Sequence, residues 1–528
     1  MTATATTPPL IQAPTAKEKK YDRQLRLWAA SGQQALEDSH VLLVIASNGD
    51  DGSGSSVAGV ETLKNLVLPS IGNFTIADSA KVTEADLGIN FFLRSQSLGQ
   101  SRAEECKQLL EELNPDVQGH AITTPLSDLL KDPSRLRPYN LIILCAPLPQ
   151  EQRRIICEYA QQYSVCLIHI QSAGFYSSFS IQLPSVFPIV DTHPDPDSIQ
   201  DLRLLSPWPE LLAEVKALDD LDKLEDHDHG HVPYALILLY YLEKWKQNNE
   251  GKAPDTFKDK TQFRDMVRAA ARTDNAEGGE ENFDEAAAAV LKTVAPFSIK
   301  SGCREMFEKD SCKVINEDSA SFWIIAAAIK TFYETHGVLP LPGSLPDMKA
   351  KSADYIKLQN IYKSKARKDV AEVSQSVRSM EKKFSRKDVI PDGEIEAFCK
   401  NAAHVKVLEG SLLPQLRIEK GDIQTRKTML NELQNTETLL PILLAFENGS
   451  RSQLDDMIAN NGKIDFEALN NQFAEVDRVG GRELHNISSV TGGMVAQEAI
   501  KIITRQYVPV NNTCIFDGIG GTTLVLKL

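Results

Sequence analysis

Short apolar runs alternate with amphipathic helical patterns from Asp38 to about Leu183. The runs are typical of buried strands and lie at Val41–Ala46, Phe74–Ala77, Leu141–Cys145, Val165–Ile168 and Ser177–Leu183. The helical patterns between them lie at Val60–Leu68, Arg102–Leu113 and Gln150–Gln162. Because strands that alternate with helices usually pair in parallel, this part of the chain predicts a doubly wound α/β domain with helices on both faces.

Past residue 188 the pattern becomes charged and helical. One long helix is predicted from apolar positions three or four residues apart, at Tyr355, Leu358, Tyr362, Ala366, Val370 and Val373. Near the end, a helical pattern at Val490–Thr504 precedes β-like runs at Tyr507–Val510, Thr513–Phe516 and Thr522–Leu528. This ending is too short to fold alone, so we expect it to complete the N-terminal sheet. The predicted organisation is a flexible tail (1–20), a discontinuous domain (21–187 and 485–528) and a mainly helical insertion (188–484).

Composition limits the class of protein. The chain has 528 residues, of which 42% are hydrophobic, and a formal net charge of −15 that argues against nucleic-acid binding. The longest apolar candidate, Tyr234–Leu242, is far shorter than the roughly 20 residues that span a bilayer. Met1–Ala16 lacks the basic and apolar regions of a signal peptide, and the eight cysteines form no C-x-x-C pair. We therefore expect a reduced cytoplasmic or nuclear protein without a membrane segment or a zinc site.

The loop after the first predicted strand is unsuited to a phosphate. Glycines tightly spaced at this turn let backbone N–H groups and a helix N-terminus approach phosphate oxygens. Here Ser47–Ser56 is long and polar, and the adjacent carboxylates of Asp50 and Asp51 would repel the same anion. The sequence therefore predicts the fold without a working phosphate site.

Three segments together resemble the adenylation domains of ubiquitin-like-activating enzymes. They are Tyr21–Trp28 (YDRQLRLW), Glu61–Leu66 (ETLKNL) and Gly492–Glu498 (GGMVAQE). Since they bracket nearly the whole chain in the order found in that family, the resemblance is stronger than any one motif. It implies a Rossmann-like adenylation-type domain that is interrupted by a large insertion.

The resemblance also implies a degenerate nucleotide site. Asp78 keeps the first acidic position after the second strand, but Ala80 replaces the second, and Phe91 stands where active members have an arginine. Arg102 falls where they have a phosphate-contacting lysine, so a positive charge persists there. Ala146–Pro149 offers no carboxylate in place of the metal-serving Asp. We expect this chain by itself to bind no magnesium or ATP.

Within that family, the length and the helical insertion are most similar to regulatory subunits that act on a Nedd/Rub-type modifier. The resemblance implies an obligate heterodimer whose catalytic subunit holds Mg²⁺ and ATP, adenylates the modifier and accepts it on a cysteine. Here Cys303 and Cys312 each precede a basic residue and Cys399 lies in a helical pattern. A basic neighbour lowers a thiol pKa, so Cys303 or Cys312 stays open as a nucleophile, although a structural thiol is the favoured alternative.

Arg23, in the first of the three segments, is the main candidate functional residue. From the residues alone, a surface arginine paired with Asp22 or Glu18 is the simpler interpretation. The resemblance reverses that preference, because it implies an arginine that reaches across the heterodimer to the triphosphate held by the other subunit. A guanidinium suits this task since it is always charged and presents several donors in a plane.

Two further segments carry alternatives. Leu339–Met348 is rich in proline. It is either a partner-docking loop, with apolar area from Leu339, Leu341, Leu345 and Met348, or a plain connector between predicted helices at 321–334 and 352–373, with a slight preference for docking. Asp226–His231 has metal-ligand residue types, but entry into a helix near Pro233 is the favoured interpretation. For the whole chain, the rival functions are a self-sufficient nucleotide-dependent enzyme of the same fold, a regulatory subunit for another modifier, and a pure adaptor.

Overall fold

The computed structural model describes residues 15–45, 56–194, 201–218, 220–273, 279–386, 388–413, 474–476 and 478–527. Contacts divide the chain into a sheet unit, Met1–Ile189 with Leu408–Leu528, and a helical unit, Val190–Val407. The chain leaves the sheet unit after Ile189, close to the expected boundary at residue 187. It returns to the sheet unit at Leu408, whereas the expected boundary is residue 485. The expected tail is also shorter, because α1 (Ala16–Lys20) is a helix with a capping box at Thr15.

The sheet unit contains eight helices and eight strands among its described residues. Its other helices are α2 (Asp22–Glu37), α3 (Val57–Val67), α4 (Glu84–Leu87), α5 (Arg102–Glu111), α6 (Leu126–Leu129), α7 (Gln150–Tyr163) and, late in the chain, α18 (His485–Thr504). Its strands are β1 (His40–Ile45), β2 (Asn73–Ala77), β3 (Gln118–Ile122), β4 (Leu141–Cys145), β5 (Cys166–Ala173), β6 (Tyr176–Gln182), β9 (Thr513–Asp517) and β10 (Thr522–Leu526). β7 (Phe187–Val190) and β8 (Val405–Leu408) lie where the chain passes between the units.

The eight strands form one sheet in the order β10-β9-β6-β5-β4-β1-β2-β3. The strands from β5 to β3 pair in parallel, as predicted, while β6, β9 and β10 are antiparallel. The chain's end therefore completes the N-terminal sheet, as expected. The run Tyr507–Val510 is wrong as a strand, because Pro509 has no N–H to donate and the Val510 N–H bonds to the Glu498 side chain at 2.7 Å.

β1 shows why both faces of the sheet are covered. Val41, Leu43 and Ile45 face one apolar core, shared with α3 and α18, and Leu42 and Val44 face the other. All five are buried, which is the continuous apolar pattern of a central parallel strand. This alternation places α3 and α18 together on one side of the sheet.

α3 and α18 approach each other closely at Gly492. A Cβ atom at this position would lie 2.6 Å from the Glu61 Cβ and 2.9 Å from the Thr62 backbone nitrogen. Only glycine fits there without displacing α3. At the neighbouring Gly493 a Cβ atom would meet nothing within 4 Å. The Gly-Gly pair of the sequence motif thus includes one residue that the packing requires and one that it does not.

The helical unit is built around two apolar cores. Its helices are α8 (Pro209–Ala217), α9 (Asp226–His229), α10 (Tyr234–Asn248), α11 (Phe257–Ala269), α12 (Glu281–Thr293), α13 (Ser301–Glu308), α14 (Asp310–Lys313), α15 (Ser321–His336), α16 (Ser352–Lys383) and α17 (Asp392–Lys400). The predicted face of α16 is confirmed: Leu358 and Tyr362 enter one core and Val373 enters the other. None of the helices in the described ranges has the length and apolarity to cross a membrane.

Candidate functional site

In an open α/β sheet, ligands bind where strand order reverses, outside the carboxyl ends of the strands. Here that place lies between β1 and β4, beside the N-terminus of α3. The acidic loop that the sequence analysis singled out falls at residues 46–55, outside the described residues, so its effect on phosphate stays a prediction. The described residues near the point where strand order reverses come from β2, α5, β4 and the segment before α18.

Asp78 and Arg102 meet inside the sheet unit. The Arg102 Nε lies 2.6 Å from Asp78 Oδ2 and its Nη2 lies 3.3 Å from Asp78 Oδ1, so the pair is bidentate. The Arg102 Nη1 also donates to Asp86 Oδ1 at 2.9 Å. The side chains of Arg102, Asp78 and Asp86 are only 4%, 0% and 1% exposed. We call these three residues the buried ion cluster.

The buried ion cluster uses the groups that the resemblance assigned to nucleotide binding. The positive charge of Arg102 persists, as expected, but two carboxylates face it. Burial by itself lowers the pKa of Arg102, yet the charges and hydrogen bonds of Asp78 and Asp86 raise it on balance. An acidic residue after the second strand commonly holds a ribose hydroxyl, and Asp78 is instead bound to Arg102. Neither side chain is available to a ligand in this arrangement.

Glu483 lies at the N-terminus of α3. Its Oε2 accepts a hydrogen bond from the Ala58 N–H at 3.2 Å and from the Ser488 hydroxyl at 3.1 Å. The Val57 N–H also contributes a hydrogen bond to this carboxylate. Ser56, the N-cap residue of α3, has a left-handed backbone and makes no side-chain capping bond. A buried carboxylate from a distant segment therefore satisfies first-turn N–H groups that a local cap leaves open.

Phe91 stacks on His485 with ring centroids 3.7 Å apart, yet it remains 70% exposed. The neighbouring Asn90 is buried; its Oδ1 accepts from the Phe92 N–H at 2.9 Å. The position that the resemblance equates with an arginine is thus a surface aromatic residue with no charge to offer a phosphate. His485 also contacts the Ile89 carbonyl through its Nδ1 at 2.9 Å.

The end of β4 supplies no metal ligand. Cys145 is buried, burial raises the pKa of its thiol to about 12, and the segment continues as Ala146–Pro149 without a carboxylate. Across the described part of the chain, no group of three or more His, Cys, Asp or Glu side chains is arranged to hold a metal ion. The described residues of this crevice, which exclude 46–55, therefore do not fit magnesium-bound ATP.

The Asp226–His231 segment forms α9 and the turn after it. The His229 Nδ1 lies 2.7 Å from Glu280 Oε1 in a buried pair. Asp226 pairs with Arg272 at 2.5 Å. The acidic and histidine side chains of this segment thus face different partners rather than a common centre.

Arg23 lies in the first turn of α2, two residues after the buried N-cap residue Tyr21. The preceding Tyr21 is only 2% exposed, and its hydroxyl lies 3.1 Å from Asp116 Oδ2 and 3.1 Å from Asn114 Nδ2. Arg23 itself is exposed and makes no hydrogen bond or ion pair with any residue within the described ranges. A buried tyrosine thus fixes the backbone just before Arg23, while the Arg23 side chain is exposed to solvent.

Asp22 and Glu18, the two acidic residues that the simpler interpretation pairs with Arg23, each bind another group. Asp22 pairs with Arg26, one turn further along α2, at 2.9 Å. Glu18 accepts the Thr15 N–H at 2.7 Å in the capping box of α1. The simpler interpretation of Arg23 as the partner of Asp22 or Glu18 is therefore not the arrangement that the structure shows.

The proline-rich segment requires a correction. Leu339, Leu341 and Met348 are 2%, 1% and 7% exposed because they pack into the cores of the helical unit. Their apolar area is used inside the unit and cannot be offered to a partner as expected. Leu345 is half-buried and lines a cavity of about 780 Å³ between this segment, α16 and α17.

The candidate thiols are buried too. Burial raises the pKa of Cys303 to about 12, of Cys312 to about 11 and of Cys399 to about 12. A nucleophilic cysteine needs the opposite, a lowered pKa and access to solvent. The structure therefore favours the structural-thiol alternative for Cys303 and Cys312.

Two important residues, Asp86 and Glu483, were not identified from the sequence. Asp86 belongs to a readable capping box, Thr83-x-x-Asp86, but its pairing with Arg102 has no local signature. Glu483 precedes a helix by two residues and gives no signal of its contact with Ala58, since 425 positions separate them. Both roles depend on which elements become neighbours in the fold.

Comparison with known proteins agrees with this architecture. The ThiF family matches residues 21–527. A NEDD8-activating enzyme E1 regulatory subunit from Danio rerio is 35% identical over 97% of this chain and 99% of its own length. The counterpart from Drosophila melanogaster is 35% identical over 97% and 98%, and the NEDD8-activating enzyme E1 regulatory subunit AXR1 from Arabidopsis thaliana is 32% identical over 98% and 98%. The chain therefore belongs to the ThiF family and, within it, to the NEDD8-activating enzyme E1 regulatory subunits.

Proposed function

We propose that this chain is the non-catalytic subunit of a heterodimeric, ATP-dependent activating enzyme for a NEDD8 (Nedd/Rub-type) modifier. In this proposal the catalytic partner binds Mg²⁺ and ATP, adenylates the C-terminal carboxylate of the modifier, releases pyrophosphate and takes the acyl group onto its own cysteine. The present chain stabilises that partner and supplies Arg23 to its ATP site. We expect it to work in the cytoplasm, the nucleus or both.

The observation that carries the proposal is the state of the crevice between β1 and β4. Asp78 and Arg102 are committed to the buried ion cluster, and Glu483 takes the N–H groups at the start of α3. These are the groups that a nucleotide would need. The rival proposal of a self-sufficient nucleotide-dependent enzyme would require all of them to be released first.

Arg23 can act on the partner's nucleotide because its guanidinium is exposed and without a partner among the described residues, on a backbone that Tyr21 fixes. When pyrophosphate leaves, negative charge builds up on phosphate oxygens. A guanidinium that is placed in advance stabilises that charge with two or more N–H donors and pays little reorganisation when the reaction occurs. Lysine could supply the charge but not the planar fork of donors.

The test is ATP–pyrophosphate exchange by the reconstituted heterodimer. Arg23→Ala should raise the adenylation barrier by about 2–4 kcal/mol, which is a roughly 30- to 900-fold loss of rate, as for other lost transition-state donors. The exchange rate of Arg23→Lys should lie between those of the wild-type heterodimer and Arg23→Ala. Arg26→Ala is the matched control, since Arg26 lies one turn further along α2 and is exposed, but pairs with Asp22. Unchanged exchange by Arg23→Ala, with normal heterodimer formation, would leave only the adaptor function.

A second experiment separates the roles of the two chains. The purified chain alone is titrated with magnesium-bound ATP in a calorimeter, and the heterodimer is then charged with labelled modifier and separated under non-reducing conditions. We expect no heat of binding for the isolated chain and a thioester on the partner only. A label on the present chain would refute the assignment of roles.

A further inference from the structure

We infer that Glu483 is a built-in substitute for a nucleotide phosphate, which occupies the N-terminus of α3 and keeps anions out of the crevice. This inference rests on the proposed absence of nucleotide from this subunit and adds a cause to it. Loss of binding residues alone would leave an open helix N-terminus, whereas Glu483 fills it.

Position is the first argument. In dinucleotide-type folds the helix after the first strand directs its first-turn N–H groups at a phosphate. α3 is that helix, since it follows β1 in the chain, and it has 11 residues. The Glu483 Oε2 lies 3.2 Å from the Ala58 nitrogen, which is the distance of a hydrogen bond that a phosphate oxygen would make.

The surroundings of Glu483 show that its contact with Ala58 is a buried part of the fold rather than an incidental contact at the surface. Glu483 is buried, Ser488 at the start of α18 donates its hydroxyl to the same oxygen at 3.1 Å, and the backbone of Glu483 forms a bridge with Gly174 at the end of β5. The carboxylate is thus held by Ser488 and the first turn of α3, and its backbone is fixed at Gly174. Because Glu483 is buried, a simple rotation of its side chain into solvent would not free the N-terminus of α3.

Electrostatics explain why the site accepts no second anion. A carboxylate already uses the partial positive charge of the helix end, and a phosphate would have to approach a negative charge in a buried place. Burial raises the pKa of Glu483 to about 7, although its hydrogen bonds and the nearby charge of Arg102 act in the opposite direction. Burying the Glu483 carboxylate at the start of α3 therefore costs desolvation free energy, as expected for a side chain that replaces a bound anion.

The experiment uses the full chain and inorganic phosphate as the probe, with chloride at equal ionic strength as reference. Hydrogen exchange of the first-turn amides of α3 is measured relative to amides of β1. In Glu483→Ala these α3 amides should exchange about tenfold faster or more, because buried donors lose their acceptor. Phosphate at ten times its dissociation constant should slow them again about tenfold, and should not affect the wild-type chain. The inference would be overturned if phosphate slowed the α3 amides of the wild-type chain as much as those of Glu483→Ala. It would also be overturned if phosphate did not slow them in Glu483→Ala.

Three further variants make the result specific. Glu483→Gln keeps the length and one acceptor oxygen, so it should exchange like the wild-type chain and ignore phosphate. Glu112→Ala removes an exposed carboxylate of the same unit and should change neither measurement. If Glu483→Ala does not fold, Glu483→Asp decides: its shorter side chain withdraws from Ala58, so first-turn exchange should accelerate about fivefold. Wild-type exchange in Glu483→Asp would refute the inference.

Failure here is distinguishable from failure of the proposed function. An isolated wild-type chain that takes up magnesium-bound ATP would refute the proposed function. A phosphate-insensitive Glu483→Ala variant, in a chain that still binds no ATP, would refute only the role of Glu483.

Discussion

Replacing Arg102 by methionine should destabilise the sheet unit strongly. Arg102→Met keeps most of the length of the side chain but removes the guanidinium from the buried ion cluster. Asp78 and Asp86 then remain in a place where their side chains are 0% and 1% exposed, without a counter-charge. Three N–H···O hydrogen bonds, at 2.6, 3.3 and 2.9 Å, are lost as well.

The magnitude follows from the loss of one partner of a buried ion pair, which typically costs 3–5 kcal/mol because the remaining charge is uncompensated. We therefore expect the free energy of unfolding of the sheet unit to fall by about 3–5 kcal/mol. Arg94→Met is the matched control. Arg94 pairs with Glu112 at 3.1 Å, but both side chains are about half exposed, and such surface pairs contribute about 0–1 kcal/mol.

Native-state hydrogen exchange of the β1 and β2 amides measures the effect in the sheet unit alone. A loss of about 3–5 kcal/mol corresponds to exchange that is roughly 140- to 3,700-fold faster, since each 1.4 kcal/mol is a factor of ten. The triple variant with Asp78→Asn and Asp86→Asn should recover part of the loss, because it removes the uncompensated charges. Exchange by Arg102→Met that is no faster than that of Arg94→Met would refute the reasoning.

Three other predictions follow from the same structure. Gly492→Ala should cost about 1–3 kcal/mol in unfolding free energy through its clash with α3, whereas Gly493→Ala should cost nothing; urea unfolding compares them, and equal effects would contradict the packing argument. Cys303 and Cys312 should resist alkylation at pH 8 in the native chain, because burial raises their pKa to about 12 and about 11; mass spectrometry that finds rapid labelling of either would contradict this. The folded-state pKa of Glu483, about 7, lies above its ordinary 4.5, so its contribution to stability is present below pH 4.5 and is lost as the pH rises to 7. This pH dependence is worth about 3 kcal/mol in unfolding free energy. Urea unfolding curves at a series of pH values measure it, and Glu483→Gln should abolish it.

The parts of the fold that could be predicted are those with a strong local pattern. β1, β4 and the long helix α16 were found because continuous or periodic apolar residues identify them. The polar strand β3, at the edge of the sheet, was missed, since Gln118–Ile122 has little apolar pattern and only one fully buried residue. α3 begins at Val57 rather than Val60, because the signal that starts it is the distant Glu483 and not a local cap.

The site was predictable residue by residue but not in its arrangement. Asp78, Phe91 and Arg102 were singled out through the family resemblance, and each lies near the expected crevice. The structure changes what Arg102 does, from a free positive charge to the centre of a buried ion cluster. The apolar residues of the proline-rich segment slightly favour docking of a partner, but Leu339, Leu341 and Met348 are buried, so the helical unit uses these three side chains itself.

The sequence by itself determined the class of fold and the return of the chain's end to the first sheet, because these depend on local periodicity. Only the tertiary structure decided which side chains meet in the crevice between β1 and β4. Arg102 meets Asp78 and Asp86 because α5, β2 and α4 become neighbours, and Glu483 reaches α3 because α18 packs against it through Gly492. Such pairings join residues far apart in the chain. Their energies come from burial and from the close approach of charges, which exist only once the chain has folded.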